Sequence, residues 1–145
     1  MGPRFASSRA MESCPKTSQQ GTDGRRALGA AGEAAAAKHL ERRGFRVLEA
    51  NVRCRLGELD LVAIERGVVV FVEVKSNRGG RFGAPEEMVT RYKQRRLTRL
   101  ALWYLQQRGW LGRPARFDVV AVDWDPDGAA RIRHFRNAFP ATGGW

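Results

Sequence analysis

The stretch from Gly57 to Lys75 reads GELDLVAIERGVVVFVEVK, two runs rich in β-branched residues that meet at Arg66-Gly67. Few structures accommodate it. A two-residue loop with glycine in second place suits the hairpin turn whose backbone twist matches that of its strands. Such a loop pairs Glu65 with Val68 and carries the register back until Asp60 lies opposite Glu73. Slipping the pairing by one residue, as a bulge at Gly67 would do, sends every side chain to the other face. Because side chains alternate, Glu73 and Lys75 share a face with Val69 and Phe71, while Val70, Val72 and Val74 point the other way.

Directly opposed residues on neighbouring strands have Cβ atoms roughly 4.5–5.5 Å apart. Two carboxylates held that close resist joint ionisation unless a cation lies between them. Asp60 and Glu73 therefore make a candidate site for a divalent metal, with the Lys75 ammonium converging on the same patch. The alternative is that each acid ends a strand and meets water or an arginine. By the same register Glu58 falls opposite Lys75, as an ion-pair partner.

The rest of the chain builds around this hairpin. Residues 1–24 are polar, rich in Ser, Gly and Gln, and aperiodic, and they are expected to be a disordered tail ahead of one domain over 25–145. An Ala-rich segment from Arg25 to Arg43 has strong helix propensity and stops at Gly44. Phe45 to Arg53 reads as a strand, making an antiparallel meander with the hairpin. Pro85 followed by Glu86 and Glu87 is a helix-start signal, and Gly109 a stop, so a second helix is expected from Pro85 to Arg108. Arg116 to Trp124 alternates as a strand, Asp125-Pro126-Asp127-Gly128 is a turn, and Ala130 to Phe135 is a last strand. The expected order is α-β-β-β-α-β-β.

Charge points to the partner. The 145 residues carry a net +11, and setting aside the first 22, with Arg4, Arg9, Lys16 and Glu12, leaves +9. A basic domain of this size meets polyanions, since neutralising phosphates releases condensed counterions; nucleic acid is the expected partner. Only Cys14 and Cys54 are present, too few for a disulfide framework. Without an apolar run of about eighteen residues or a secretory leader, a cytoplasmic protein with no membrane partner is expected.

Two further charges stand where apolar side chains belong. On the first helix Glu33 shares a face with Gly29, Ala36, Ala37 and Leu40, and the small residues Gly29, Gly32 and Ala36 would let the helix approach the sheet closely. Glu33 either turns out to solvent or reaches the opposed carboxylates. On the second helix Lys93 interrupts the stripe Val89, Leu97, Leu100 and Tyr104, either snorkelling outward or facing a phosphate-binding cleft. Arg91, Arg95, Arg96 and Arg99, with Arg78 and Arg81 in the glycine-rich loop, are phosphate contacts or a solvated basic face. Asp118 is expected to serve the fold or charge balance. No P-loop, GxGxxG or HExxH occurs, and neither His39 nor His134 has a zinc-like partner.

A helical Glu33, then Asp60, a hairpin, and Glu73-x-Lys75 on the next strand resemble the PD-(D/E)XK nuclease superfamily. More narrowly, Gly32-Glu33, Asn51-x-Arg53, Gly57-Glu58-Leu59-Asp60, Phe71-Val72-Glu73-Val74-Lys75, Lys93 and Arg116-Phe117-Asp118 resemble the YraN-like family, which is similar to archaeal Holliday-junction resolvases. Leu59 stands where the superfamily's label has proline. The resemblance implies an α/β fold with a restriction-endonuclease-like α-β-β-β-α-β core, a mixed central sheet flanked by helices. It implies Asp60 and Glu73 as ligands of Mg²⁺ or Mn²⁺, Glu33 as a further acid of the site, Lys75 as the catalytic lysine and Lys93 as the helix-borne polar residue; Lys93, Arg78 and Arg81 are the residues expected on nucleic acid. The implied activity is endonucleolytic hydrolysis of DNA, on branched or junction DNA, by a homodimer. The competing expectation is a nucleic-acid-binding module or accessory protein that has kept the fold without the chemistry.

Overall fold

Seven elements follow one another in a computed structural model that describes residues 23–79 and 88–145. They are α1 (Asp23–Arg42), β1 (Arg46–Cys54), β2 (Gly57–Glu65), β3 (Val68–Arg78), α2 (Arg91–Arg108), β4 (Ala115–Trp124) and β5 (Ala130–Phe139). The order is the expected α-β-β-β-α-β-β. Apart from Asp23 and Gly24, which open α1, the expected tail lies outside the described residues.

One sheet holds all five strands in the order β1-β2-β3-β4-β5. Its pairs are antiparallel except β3 with β4, which run parallel from Val69↔Ala115 to Arg78↔Trp124. A parallel pair needs a long crossover, and α2 lies within it. The sheet is mixed, consistent with an α/β restriction-endonuclease-like core.

The hairpin forms in the expected register. Arg66 (φ 50°) and Gly67 (φ 81°) both lie in the left-handed region, as its tight turn requires, and Glu65 pairs with Val68. The alternation of β3 then sorts the core into two layers. Val69 and Phe71 pack with Leu97, Leu100 and Tyr104 of α2, whereas Val70 and Val72 pack with Ala36 and Leu40 of α1. Burying such side chains at about 25 cal/mol per Å² is what holds both helices on the sheet.

The helix ends are chemically marked. Gly44 (φ 90°) follows α1, and the Phe45 N–H returns to the Leu40 carbonyl at 3.0 Å. Gly109 (φ 69°) does the same for α2. The start of α2 differs from expectation. The Pro85-Glu86-Glu87 signal lies outside the described residues, and the helix begins only at Arg91, with no acidic side chain in its first turn. Thr90 is extended (φ −64°, ψ 158°), and its hydroxyl accepts the Lys93 N–H at 3.2 Å, a cap that fixes the boundary.

At the other edge β5 runs four residues beyond the expected Phe135, to Phe139, past a register shift facing Phe117 and Val119. Asp118 bridges that irregularity. Its buried carboxylate accepts the Asn137 N–H (2.9 Å), the Arg116 Nε–H (2.8 Å) and a contact from His134 Nε2 (2.8 Å). Its role in the fold is as expected. No described helix is long and apolar enough to cross a membrane.

Candidate active site

β2 and β3 stay paired only as far as Leu61↔Val72 and then part, one step before Asp60 and Glu73. The departure has a local cause. Asn51, level with Asp60 between the Ala50↔Leu61 and Val52↔Leu59 pairs, is left-handed (φ 56°), and Leu59 and Leu61 pack on opposite faces although they are two residues apart. The strand therefore turns at Asp60. In place of the lost ladder bond, Asp60 Oδ2 accepts the Val74 N–H at 2.8 Å.

Carboxylates gather in this fork. One oxygen each of Glu33, Glu58 and Asp60 lie within 4.8 Å of one another, so α1 delivers Glu33 to the residues of β2. Glu73, on β3, is 4% exposed and hydrogen-bonds Asp60. Its Oε2 lies 3.6 Å from the Lys75 ammonium and is in direct contact with that of Lys93, which α2 projects into the fork. Two side chains of β1 steady the outer acids: Asn51 hydrogen-bonds Glu33, and Arg53 Nε lies 3.5 Å from Glu58. A pocket of about 340 Å³ opens here, lined by Gly57, Glu58, Asp60, Glu73, Lys93 and Arg96 among others.

Proton affinities follow from this crowding. Burial, and then the Glu73 charge, push the Asp60 carboxyl well above the ordinary range, and the Val74 N–H offsets only part of that. Burial, and then Glu58, raise Glu33. Glu73 goes the other way: burial would raise it, but the Asp60 hydrogen bond and the Lys93 and Lys75 charges outweigh burial and hold it ionised. Burial lowers Lys75 despite Glu73, whereas the attraction of Glu73 outweighs burial at Lys93 and raises it. Without a cation, Asp60 is thus the acid whose ionisation this crowding opposes most. Three carboxylates within reach of one point form an all-oxygen donor set of the kind that suits hard divalent ions such as Mg²⁺ and Mn²⁺.

Glu33, Asp60, Glu73 and Lys75, singled out from sequence, therefore come together. Lys93 joins them through Glu73. Arg78 does not: it is exposed at the end of β3 beside a larger cavity of about 750 Å³ that also carries Ala27, Leu28 and Trp124. Arg81 lies outside the described residues. Glu58 was expected opposite Lys75 as its ion partner; since the ladder ends at Leu61↔Val72, Glu58 instead meets Arg53 and the other acids. Arg96, expected with Arg91, Arg95 and Arg99 as a phosphate contact or part of a solvated basic face, lines the pocket. The signal for Glu58 was the Glu58-x-Asp60 spacing, which places both side chains on one side of a regular strand.

A mixed sheet with a helix on each face, parting at an Asp and bearing Glu-x-Lys on its central strand, defines a nuclease-like α/β protein. The family model of the Uncharacterised protein family UPF0102 matches residues 32–122, which include every residue of the fork. The chain belongs to this YraN-like family of the PD-(D/E)XK superfamily. It is 54% identical over 116 residues to a UPF0102 protein of Symbiobacterium thermophilum, covering 80% of this chain and 98% of that one. A UPF0102 protein of Pelotomaculum thermopropionicum is 48% identical, with 81% and 98% covered, and one of Geobacter sulfurreducens 43%, with 83% and 94% covered.

Proposed function

We propose that the protein is a Mg²⁺- or Mn²⁺-dependent endonuclease that hydrolyses DNA phosphodiester bonds, with branched or junction DNA as its substrate. The observation that carries this reading is the convergence of Glu33, Glu58 and Asp60, with Glu73 and Lys75 beside them, at a pocket lined by Glu58, Asp60 and Glu73 in a chain with net charge +11. Asp60, with Glu73 and the two outer acids, would hold the cation. A divalent ion there supplies Lewis-acid polarisation of a phosphate oxygen and makes water more acidic.

The chain's own groups do the remaining work. Lys75, half-buried and 3.6 Å from Glu73, presents a cation to the charge that grows on the pentacovalent phosphate as water adds and the P–O bond breaks. Glu73 holds the two ammonium groups in place. Asn51 and Arg53 keep Glu33 and Glu58 aimed inward. On a two-fold symmetric junction, a homodimer would bring one such pocket to each of two opposed strands.

The test is incubation of the purified protein with linear, flapped and four-way-branched DNA in Mg²⁺, Mn²⁺ or chelator. Metal-dependent scission that disappears in Asp60→Ala is the expected result. Scission that survives that substitution, or binding without scission under every metal condition, would refute the assignment, the latter in favour of a non-catalytic nucleic-acid-binding module.

A further inference from the structure

Helix α2 has more positive charge than its place in the fold explains. Its 18 residues include Arg91, Lys93, Arg95, Arg96, Arg99 and Arg108 and no acidic side chain. Lys93 is taken up by Glu73, and Arg108 by Glu49. Arg91, Arg95, Arg96 and Arg99 are exposed, and among the described residues none has a carboxylate partner. Tyr92, between them, is 68% exposed, the largest value among the exposed large apolar side chains of the described residues. Nothing in the core requires a tyrosine there.

These side chains are aligned. Tyr92, Arg96 and Arg99 fall at i, i+4 and i+7 and so form one ridge, about 10 Å long at 1.5 Å per residue. The ridge leads into the acid pocket, because Arg96 belongs to both. Its Nε donates to the Leu56 carbonyl at 2.7 Å, and its guanidinium lies on Gly57, where an added Cβ would stand 2.9 Å from that nitrogen. Fixed by one edge, the guanidinium keeps its other donors for a ligand at the mouth of the pocket, in the fork geometry that suits a phosphate.

We infer that this ridge seats an unpaired DNA strand, with Arg96 and Arg99 on successive phosphates and the Tyr92 ring stacked on a base, leading the strand to the fork. Resting on the nuclease reading, it narrows the substrate to DNA with a single-stranded segment beside the cut. A duplex supplies phosphates equally well but hides the faces of its bases, so an exposed ring one turn from Arg96 distinguishes the two. Stacking of one base on an aromatic side chain is worth about 1–3 kcal/mol, and 1.4 kcal/mol is tenfold in affinity.

Binding of labelled oligodeoxythymidylate and of its duplex with oligodeoxyadenylate, measured by fluorescence anisotropy in chelator, tests this apart from cleavage. The full chain is expected to prefer the single strand. Tyr92→Ala is expected to weaken single-strand binding about tenfold while leaving the duplex nearly unchanged, and Tyr92→Phe to restore it. Arg96→Ala is expected to weaken both. Equal loss on both DNAs in Tyr92→Ala, or loss on neither, overturns the inference. Strand binding through Tyr92 without cleavage in Mg²⁺ or Mn²⁺ would refute the nuclease reading and leave the ridge standing. Cleavage with Tyr92→Ala affinity unaltered would do the reverse.

Discussion

Replacing Asp60 by asparagine should make the metal-free protein more stable while abolishing its response to metal. Asn is isosteric and keeps both local hydrogen bonds: its carbonyl can accept the Val74 N–H, and its amide can donate to Glu73. What it removes is charge. At 4.8 Å and an effective dielectric constant of about 20, two carboxylates repel by about 3.5 kcal/mol, and two of the three contacts in the Glu33–Glu58–Asp60 cluster involve Asp60. The fold relieves part of that by holding the Asp60 proton more tightly than the unfolded chain does, whose carboxyl titrates at the ordinary 3.8.

A raised carboxyl costs about 1.4 kcal/mol for each unit of the rise that lies below the working pH, so the penalty at pH 7 is at most about 4 kcal/mol. A gain of roughly 1–4 kcal/mol is therefore expected for Asp60→Asn at pH 7. The sign follows from the raised carboxyl. Wild-type stability from this group is present below its unfolded value and falls as pH rises from there, so the advantage of the variant should be small near pH 4 and widen toward neutrality. Urea unfolding followed by tryptophan fluorescence in chelator measures it. Adding Mn²⁺ at about a hundred times its dissociation constant should then stabilise wild type by about 2.7 kcal/mol and the variant hardly at all. A variant no more stable than wild type in chelator, or equal stabilisation of both by Mn²⁺, would refute the reasoning.

The two glycines of α1 should respond with opposite signs. An added Cβ at Gly32 would meet Ser76 Cβ and Oγ at 2.7 Å, so Gly32→Ala should cost about 1–3 kcal/mol; at Gly29 nothing lies within 4 Å, and Gly29→Ala should stabilise by up to about 1 kcal/mol, both read from thermal unfolding. At the far side of the sheet, hydrogen bonds from Arg136 (2.5 and 2.7 Å) and Arg116 (2.8 Å) hold Glu65 down at about 2. Its contribution is complete above the ordinary 4.5 and is lost as pH falls toward 2. Discounted for the half-exposed Arg136, it amounts to about 2 kcal/mol, and Glu65→Gln should flatten the acid limb of the stability curve by that amount.

Local chemistry was legible in the sequence wherever a residue's own conformational preference decided the outcome. Arg66-Gly67 set the hairpin, Gly44 and Gly109 closed the helices, and β-branched alternation divided Val69 and Phe71 from Val70 and Val72. Glu33 and Lys93 could be singled out because each interrupts an otherwise packing face, and both do reach the fork. Long-range consequences were not legible. Gly57 to Glu65 reads in sequence as one continuous strand, so nothing announces that the ladder stops after Leu61; the left-handed Asn51 on the neighbouring strand is what turns it, and Glu58 turns with it. The capping hydroxyl of Thr90 set the start of α2, and the carboxylate of Asp118 allowed β5 to continue past its bulge. An Ala-rich helix has too little contrast between faces to tell Gly29, where an added Cβ would meet nothing within 4 Å, from Gly32, where it would meet Ser76.

The hydrogen bond from Val74 to Asp60 bears on how this family can diverge. Asp60 finishes the edge of the central strand where its neighbour leaves, so a lineage that gave up chemistry would still be under pressure to keep an oxygen acceptor there, as Asp or Asn. Glu33 and Glu58 are steadied instead by side chains of β1, Asn51 and Arg53. They are the acids a silent descendant would shed first, so relatives that retain all three should be those in which the pocket is still at work.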